Sequence, residues 1–197
     1  MGTAMGIEVK EGKIIVSREL SDLDYFVLDV VNLIGRYTRY VIVSGYVTIL
    51  LGRSRGTEDV DFVIEPLSRE NFKMMCREAL EKGFEFLNPE DCNGLYEMLQ
   101  QRMGIRMARE DEIIPNAEIK FPKDAFHEEA LEMRIPAVLN GNKIYISPME
   151  LQIAYKLYLG SDKDIEDAVF LYELFKDNLN RRLLNDYAKR LRVNLPF

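Results

Sequence analysis

The chain has 197 residues, 47% hydrophobic and 30% charged, which suits one domain with a sizeable core, or one domain with a small helical annex. Its net charge of −7 argues against a long non-specific nucleic-acid footprint, while leaving a nucleotide or a single RNA end open as substrate. No apolar run approaches the roughly 20 residues that span a bilayer, and no basic-then-apolar signal opens the chain, so a cytoplasmic protein without a membrane partner is expected.

In chain order, Ile7–Val9 and Lys13–Val16 flank Glu11-Gly12 and predict a small hairpin. Ser21 starts a helix, with Asp24 as its capping-box partner and Phe26, Val27, Val30, Leu33 and Ile34 as its buried stripe. Gly35 and Arg36 end it. Tyr40–Val43 is the first core strand. It runs into Ser44-Gly45 and a short apolar helix, Tyr46–Leu51. A polar piece, residues 52–57, leads to Asp59–Ile64, which alternates like a strand. Asp59 and Asp61 then point to one face, and Val60, Phe62 and Ile64 to the other. Two like charges side by side on a half-buried strand repel, and a divalent cation between them is the simplest explanation.

Ser68 caps a further helix whose apolar face is Phe72, Met75, Cys76, Ala79 and Leu80, and Gly83 stops it. Cys76 reads as core, and Cys76 and Cys92 lack the spacing of a metal or redox pair. Phe84–Leu87 reads as a short strand. Pro89–Met103 reads as a helix, with Asn93-Gly94 as a break point. Gly104–Ala108 and Asn116–Phe121 are extended by pattern. Arg134–Leu139 and Lys143–Ser147 join at Asn140-Gly141, the pair type I′ turns prefer. From Pro148 onward the pattern is helical: Pro148–Leu159, Ser161–Lys176 and Arg181–Leu191. The shift divides an α/β part, 1–147, from a helical part, 148–197.

The stretch Val41–Ile64 resembles the nucleotidyltransferase superfamily, whose pattern is a strand, a Gly-Gly or Gly-Ser turn into a short helix, then Asp-x-Asp or Asp-x-Glu on the next strand. It is most similar to the small prokaryotic branch that reads Gly-x-x-Arg-x-Thr-x-Asp-x-Asp, here Gly52, Arg55, Thr57, Asp59 and Asp61. Tyr46 departs from the pattern, standing where the family has Gly or Ser and adding bulk beside the turn. Toward the C-terminus, Ile146–Leu151, Lys156 and Lys163–Asp167 resemble the branch's Leu-x-x-x-x-Lys helix followed by a Lys-Asp-x-x-Asp helix. Ser161-x-x-Asp164 is also a helix-capping pattern, and Lys163–Asp167 is also an i,i+4 surface pair. A cation such as Lys156 on an apolar helix needs an acid or phosphate nearby, or must snorkel.

The resemblance implies an α+β fold, a mixed sheet flanked by helices with the C-terminal helical segment packed on it. It implies metal-dependent transfer of a nucleotidyl group from a nucleoside triphosphate to an acceptor: an RNA end, a protein side chain or a small molecule. The branch includes toxin- and antitoxin-type enzymes, so a toxin–antitoxin or defence role belongs to the expectation. The alternative is a catalytically silent nucleotide- or partner-binding module. Asp59, Asp61 and a third carboxylate, Glu118, would be catalytic and would hold Mg²⁺ or Mn²⁺. Asp124 and the Glu128-Glu129 pair are fallbacks for the third acid. Ser44 and Gly45 would offer backbone N–H groups to the phosphates, and Arg55 would be a fork donor to them. Thr57 would shape the turn into the strand, and Lys156 and Asp164 complete the nucleotide-binding set. His127, the lone histidine, reads as a surface residue.

Overall fold

Helices and strands form where the apolar stripes above can be buried together. The computed structural model describes residues 6–196; residues 1–5 and Phe197, the outer ends of the two expected parts, lie outside the described residues. The strands are β1 (Gly6–Lys10), β2 (Lys13–Ser17), β3 (Tyr40–Val43), β4 (Asp59–Ile64), β5 (Phe84–Phe86), β6 (Ile105–Arg109), β7 (Asn116–Lys120), β8 (Ile135–Leu139) and β9 (Asn142–Ile146). The helices are α1 (Asp22–Ile34), α2 (Gly45–Leu50), α3 (Arg69–Glu81), α4 (Cys92–Gln100), α5 (Ala125–Glu132), α6 (Met149–Leu159), α7 (Asp162–Phe175) and α8 (Arg181–Leu191). One mixed sheet of nine strands runs in the order β1-β2-β8-β9-β3-β4-β7-β6-β5. At its centre β4 pairs antiparallel with β3 and parallel with β7. This is the expected α+β architecture.

Local chemistry explains the element ends. The Ser21 side chain accepts the Asp24 N–H at 3.3 Å while the Asp24 carboxylate accepts the Ser21 N–H at 2.8 Å, the reciprocal capping box. The apolar stripe of α1 is buried along its length. Asn140 and Gly141 take φ of 46° and 85°, as the type I′ turn between β8 and β9 requires. In α4, Asn93-Gly94 does not break the helix. Asp91 caps it instead, accepting the Asn93 and Gly94 N–H groups at 3.0 and 2.9 Å, so the helix begins at Cys92.

Two expectations are corrected. Leu80 is 51% exposed, while Phe72, Met75, Cys76 and Ala79 are buried. At 3.6 residues per turn Leu80 lies about 80° around from Phe72, at the edge of the stripe. Cys76 is core as expected, but it is bonded to Cys92, joining α3 to the first residue of α4. The two are 16 residues apart and meet only because α3 packs on α4, a tertiary fact that no spacing rule carries.

The helix α6 packs against both α7 and α8. They reach the rest of the chain through Gln152 at Ser44, Asp167 at Arg53 and Arg190 at Glu129. Among the described residues no helix is long and apolar enough to cross a membrane.

Candidate active site

The strand β3 delivers the chain to Ser44, which adopts φ 65° and ψ −135°. A non-glycine residue holds such a backbone at a cost of about 1–3 kcal/mol. From one side α6 grips it: the Ser44 N–H donates to Gln152 Oε1 at 3.3 Å, and Gln152 Nε2 donates to the Ser44 carbonyl at 2.8 Å. From the other side α2 is anchored by Tyr46, fully buried, whose hydroxyl donates to Asp24 Oδ1 at 2.8 Å. Tyr46 therefore points into the core, and the bulk expected beside the turn is absent. Arg18 donates to the same Asp24 carboxylate at 2.5 and 2.8 Å. Burial pushes the Asp24 carboxyl up, but the bonds from Arg18, Ser21 and Tyr46 outweigh it and hold it below the usual carboxylate range. Burial, reinforced by the Asp24 charge, raises the Tyr46 phenol far above its ordinary value, so it stays a donor.

The acids lie on the two central strands. The register of β4 on β7 sets Asp61 opposite Glu118 and Asp59 opposite Asn116. Alternation puts Asp59, Asp61, Glu118 and Lys120 on one face. The Lys120 ammonium sits between two carboxylates, 2.7 Å from Asp61 Oδ1 and 3.3 Å from Glu118 Oε2. Burial pushes the Asp61 carboxyl up, yet the Lys120 charge and hydrogen bonds from Lys120, Glu118 and Ser44 bring it below its ordinary value. Glu118 goes the other way, raised by burial and by its hydrogen bond to Asp61. Gly104 makes room for it: a Cβ there would come within 2.8 Å of Glu118 Oε1. Asp59 has no cationic partner among the described residues. Its neighbour Thr57 donates its hydroxyl to the Asp59 carbonyl at 2.9 Å, shaping the entry to β4.

The cations are gathered by one acid. Asp167 on α7, 0% exposed, accepts from Arg53 and Arg55, and the Lys156 ammonium lies 2.6 Å from its Oδ2. Lys156, itself 1% exposed, also donates to Asp164 at 3.2 Å, and Arg53 reaches Glu166 and the Lys163 carbonyl as well. The Arg55 guanidinium lies flat against Gly45: a Cβ on that glycine would meet it at 3.3–3.5 Å.

Between the sheet and α5 and α6 lies a cavity of about 230 Å³. Asp61, Lys120, Ser44, His127, Tyr155 and Lys156 contribute to its wall, along with apolar Phe126 and Leu159. His127 is 6% exposed, so its reading as a surface residue is corrected. It sits in the first turn of α5, where the Asp124 cap folds it inward against Tyr155, ring centroids 6.0 Å apart.

No family model matches the chain, and no curated protein matches it. Solved structures do. The antibiotic-resistance factor ANT(2'')-Ia in solution is 14% identical with a TM-score of 0.50, over 86% of this chain and 92% of that one. ANT(2'')-Ia in complex with adenylyl-2''-tobramycin is 15% identical with a TM-score of 0.50, over 85% of this chain and 96% of that one. The fold is that of the nucleotidyltransferases. An antigenic nucleotidyltransferase-like protein from Paracoccidioides brasiliensis is 19% identical over 84% of this chain and 83% of that one, with a TM-score of 0.49.

Within this nucleotidyltransferase fold the residues singled out in the sequence fall into two groups. Ser44, Asp61 and Lys156 line the cavity. Asp59, Glu118, Gly45, Arg55, Thr57 and Asp164 flank it without forming its wall. As oxygen donors the acids suit a hard divalent cation, and the ammonium between Asp61 and Glu118 marks a place built for positive charge. No cluster of three or more His, Cys, Asp or Glu able to hold a metal ion is drawn together among the described residues. Gln152 was missed, and Asp167, read as a surface partner of Lys163, is instead buried against Arg53, Arg55 and Lys156. Asp167 had a signal, since it follows Asp164 by three residues and so shares a helix face with it, the face Lys156 meets. Gln152, a lone amide on an apolar helix, had none.

Proposed function

We propose that this protein transfers a nucleotidyl group from a nucleoside triphosphate to an acceptor hydroxyl, with Mg²⁺ or Mn²⁺. The observation that carries the reading is the pairing of Asp61 with Glu118 on adjacent parallel strands, at the edge of a cavity whose wall includes the strained Ser44 turn. Asp59, Asp61 and Glu118 would hold the metal. Such an ion, when bound, neutralises charge that builds on the phosphate oxygens. The Ser44-Gly45 turn and Lys156 would meet the phosphates. Arg55, stacked on Gly45 and tied to Asp167, would fix the shape of the turn with Thr57, and Asp164 would orient Lys156. The adenylylated alcohol seen with ANT(2'')-Ia is a product of this reaction class. The acceptor would be an RNA end, a protein side chain or a small molecule, and a toxin–antitoxin or defence setting fits each of them.

One observation favours a silent binding module instead: Lys120 already neutralises Asp61 and Glu118. Incubation with each α-labelled triphosphate and Mg²⁺ or Mn²⁺ separates the two. Label transferred to RNA, to protein or to a small molecule supports the enzyme. Nucleotide bound but never cleaved supports the module.

A further inference from the structure

His127 is the chain's lone histidine, and its ring is fixed from two sides. Asp124 Oδ1 lies 2.9 Å from His127 Nδ1 and also accepts the His127 backbone N–H at 2.9 Å. Tyr155 meets the ring edge-on. A carboxylate at Nδ1 selects the tautomer with its proton on that nitrogen, which leaves Nε2 with a free lone pair. The groups facing the ring are Asp124 at its own cap, Lys120 and Lys123 from β7 and the turn after it, and Tyr155 from α6; Asp61 and Lys156 line the same cavity. Burial lowers the imidazole below its ordinary value, Lys120 and Lys123 act in the same sense, and Asp124 opposes them. The position at the N-terminal turn of α5 also disfavours a cation. Burial and the two lysines thus favour the neutral ring, the form a base requires.

We propose that His127 is the general base of the transfer, taking the proton of the acceptor hydroxyl at Nε2 as that oxygen attacks the α-phosphorus. The inference rests on the nucleotidyl-transfer reading above and deepens it. One bond forms, acceptor oxygen to α-phosphorus. One breaks, from the α-phosphorus to the bridging oxygen, and pyrophosphate leaves with the electron pair. The proton ends on His127. Glu118, the third carboxylate, is less suited to take that proton: it is tied to Lys120 and Asp61 and is not part of the cavity wall, whereas His127 is. Asp124 is a positioning residue, holding the tautomer and the ring plane.

The test uses the full chain with α-labelled ATP and Mn²⁺, following release of labelled AMP with water as acceptor. His127→Gln should lower turnover by about 10²–10⁴-fold, the usual worth of a positioned base. Its Mn²⁺–ATP affinity by calorimetry should stay within about 3-fold of wild type, since the loss is confined to the transition state. The base must be unprotonated, so the wild-type rate should fall as pH drops through the histidine's pKa, and the variant should lack that limb. Because there is one imidazole, its NMR titration in the wild type gives that pKa directly, and the kinetic limb must coincide with it. This comparison stands even if the variant folds poorly. Asp124→Asn keeps the helix cap and should shift both the titration and the limb together. A variant turnover within about 3-fold of wild type, or a limb that departs from the imidazole titration, overturns the base assignment and leaves nucleotidyl transfer standing. If the wild type transfers label from none of the triphosphates to water, RNA, protein or a small molecule, both are overturned.

Discussion

Replacing Asp167 by Asn tests whether the cation cluster is structural. The Asp167 carboxylate is shared by Arg53, Arg55 and Lys156, whose side chains are themselves largely buried. Removing one partner of a buried ion pair costs about 3–5 kcal/mol, because the stranded charge stays desolvated. Arg53 would keep Glu166 and the Lys163 carbonyl, and Lys156 would keep Asp164 at 3.2 Å. Arg55 would keep only the Gly56 carbonyl at 3.3 Å. The loss should therefore lie at the lower end, about 3 kcal/mol. For a chain of this size that lowers Tm by about 6–12 °C in a calorimetric scan. Adding Arg55→Met to the variant removes the guanidinium left without a carboxylate and should recover part of the loss. A drop below about 3 °C would mean that solvent already screens the cluster, and the reasoning fails. A strictly additive double variant would refute the shared-carboxylate account as well.

Tyr46→Phe removes a hydrogen bond to a buried carboxylate and should cost about 1.5–3 kcal/mol, any loss of Mn²⁺–ATP affinity being accompanied by a lower Tm; lost affinity at constant Tm would put Tyr46 back in the site. Asp61→Asn should abolish Mn²⁺-dependent nucleotide binding in isothermal titration. It should also destabilise the fold, because Lys120 is then left with Glu118 alone; unchanged affinity would end the metal reading. Asp24 is held below its unfolded value of 3.8, so its stabilisation is fully present above that pH and is lost as pH falls through the lower folded value. Wild type should exceed Asp24→Asn in stability at neutral pH, and a gap that does not narrow as pH falls below 3.8 would contradict the assignment.

The parts legible in the sequence are those with a local cause. The Ser21 cap, the Asn140-Gly141 turn and the alternation of Asp59–Ile64 each depend on neighbours within a few residues, and each lies where its pattern put it. The adjacency of Glu118 and Asp61 needed one further step, that β7 joins β4 in parallel, and the register supplies it. What local pattern could not carry was the direction of a side chain against distant partners. Tyr46 reads as bulk beside a turn until Asp24, 22 residues earlier, is seen to hold its hydroxyl in the core. Arg55 and Lys156 read as separate cations until α7 brings Asp167 between them. His127 sits among charged residues in sequence and reads as exposed; Tyr155, arriving from α6, is what covers it.

These long-range contacts share one consequence. The Ser44 turn stores backbone strain, and strain persists only where the surroundings over-determine it. Behind the turn, Tyr46 bolts α2 to Asp24, which Arg18 and Ser21 hold ionised. In front, Gln152 pairs with both the N–H and the carbonyl of Ser44. Beside it, Arg55 lies against Gly45 and is fixed by Asp167, so no side chain larger than hydrogen fits there without displacing it. The front and side anchors come from α6 and α7, and the rear one from α1. The C-terminal helices are thus part of how the turn is shaped, and a chain cut before Pro148 would lose two of its three constraints. Because each anchor is a largely buried side chain already paired within the fold, the turn is shaped before any ligand arrives, and little ordering remains to be done on binding.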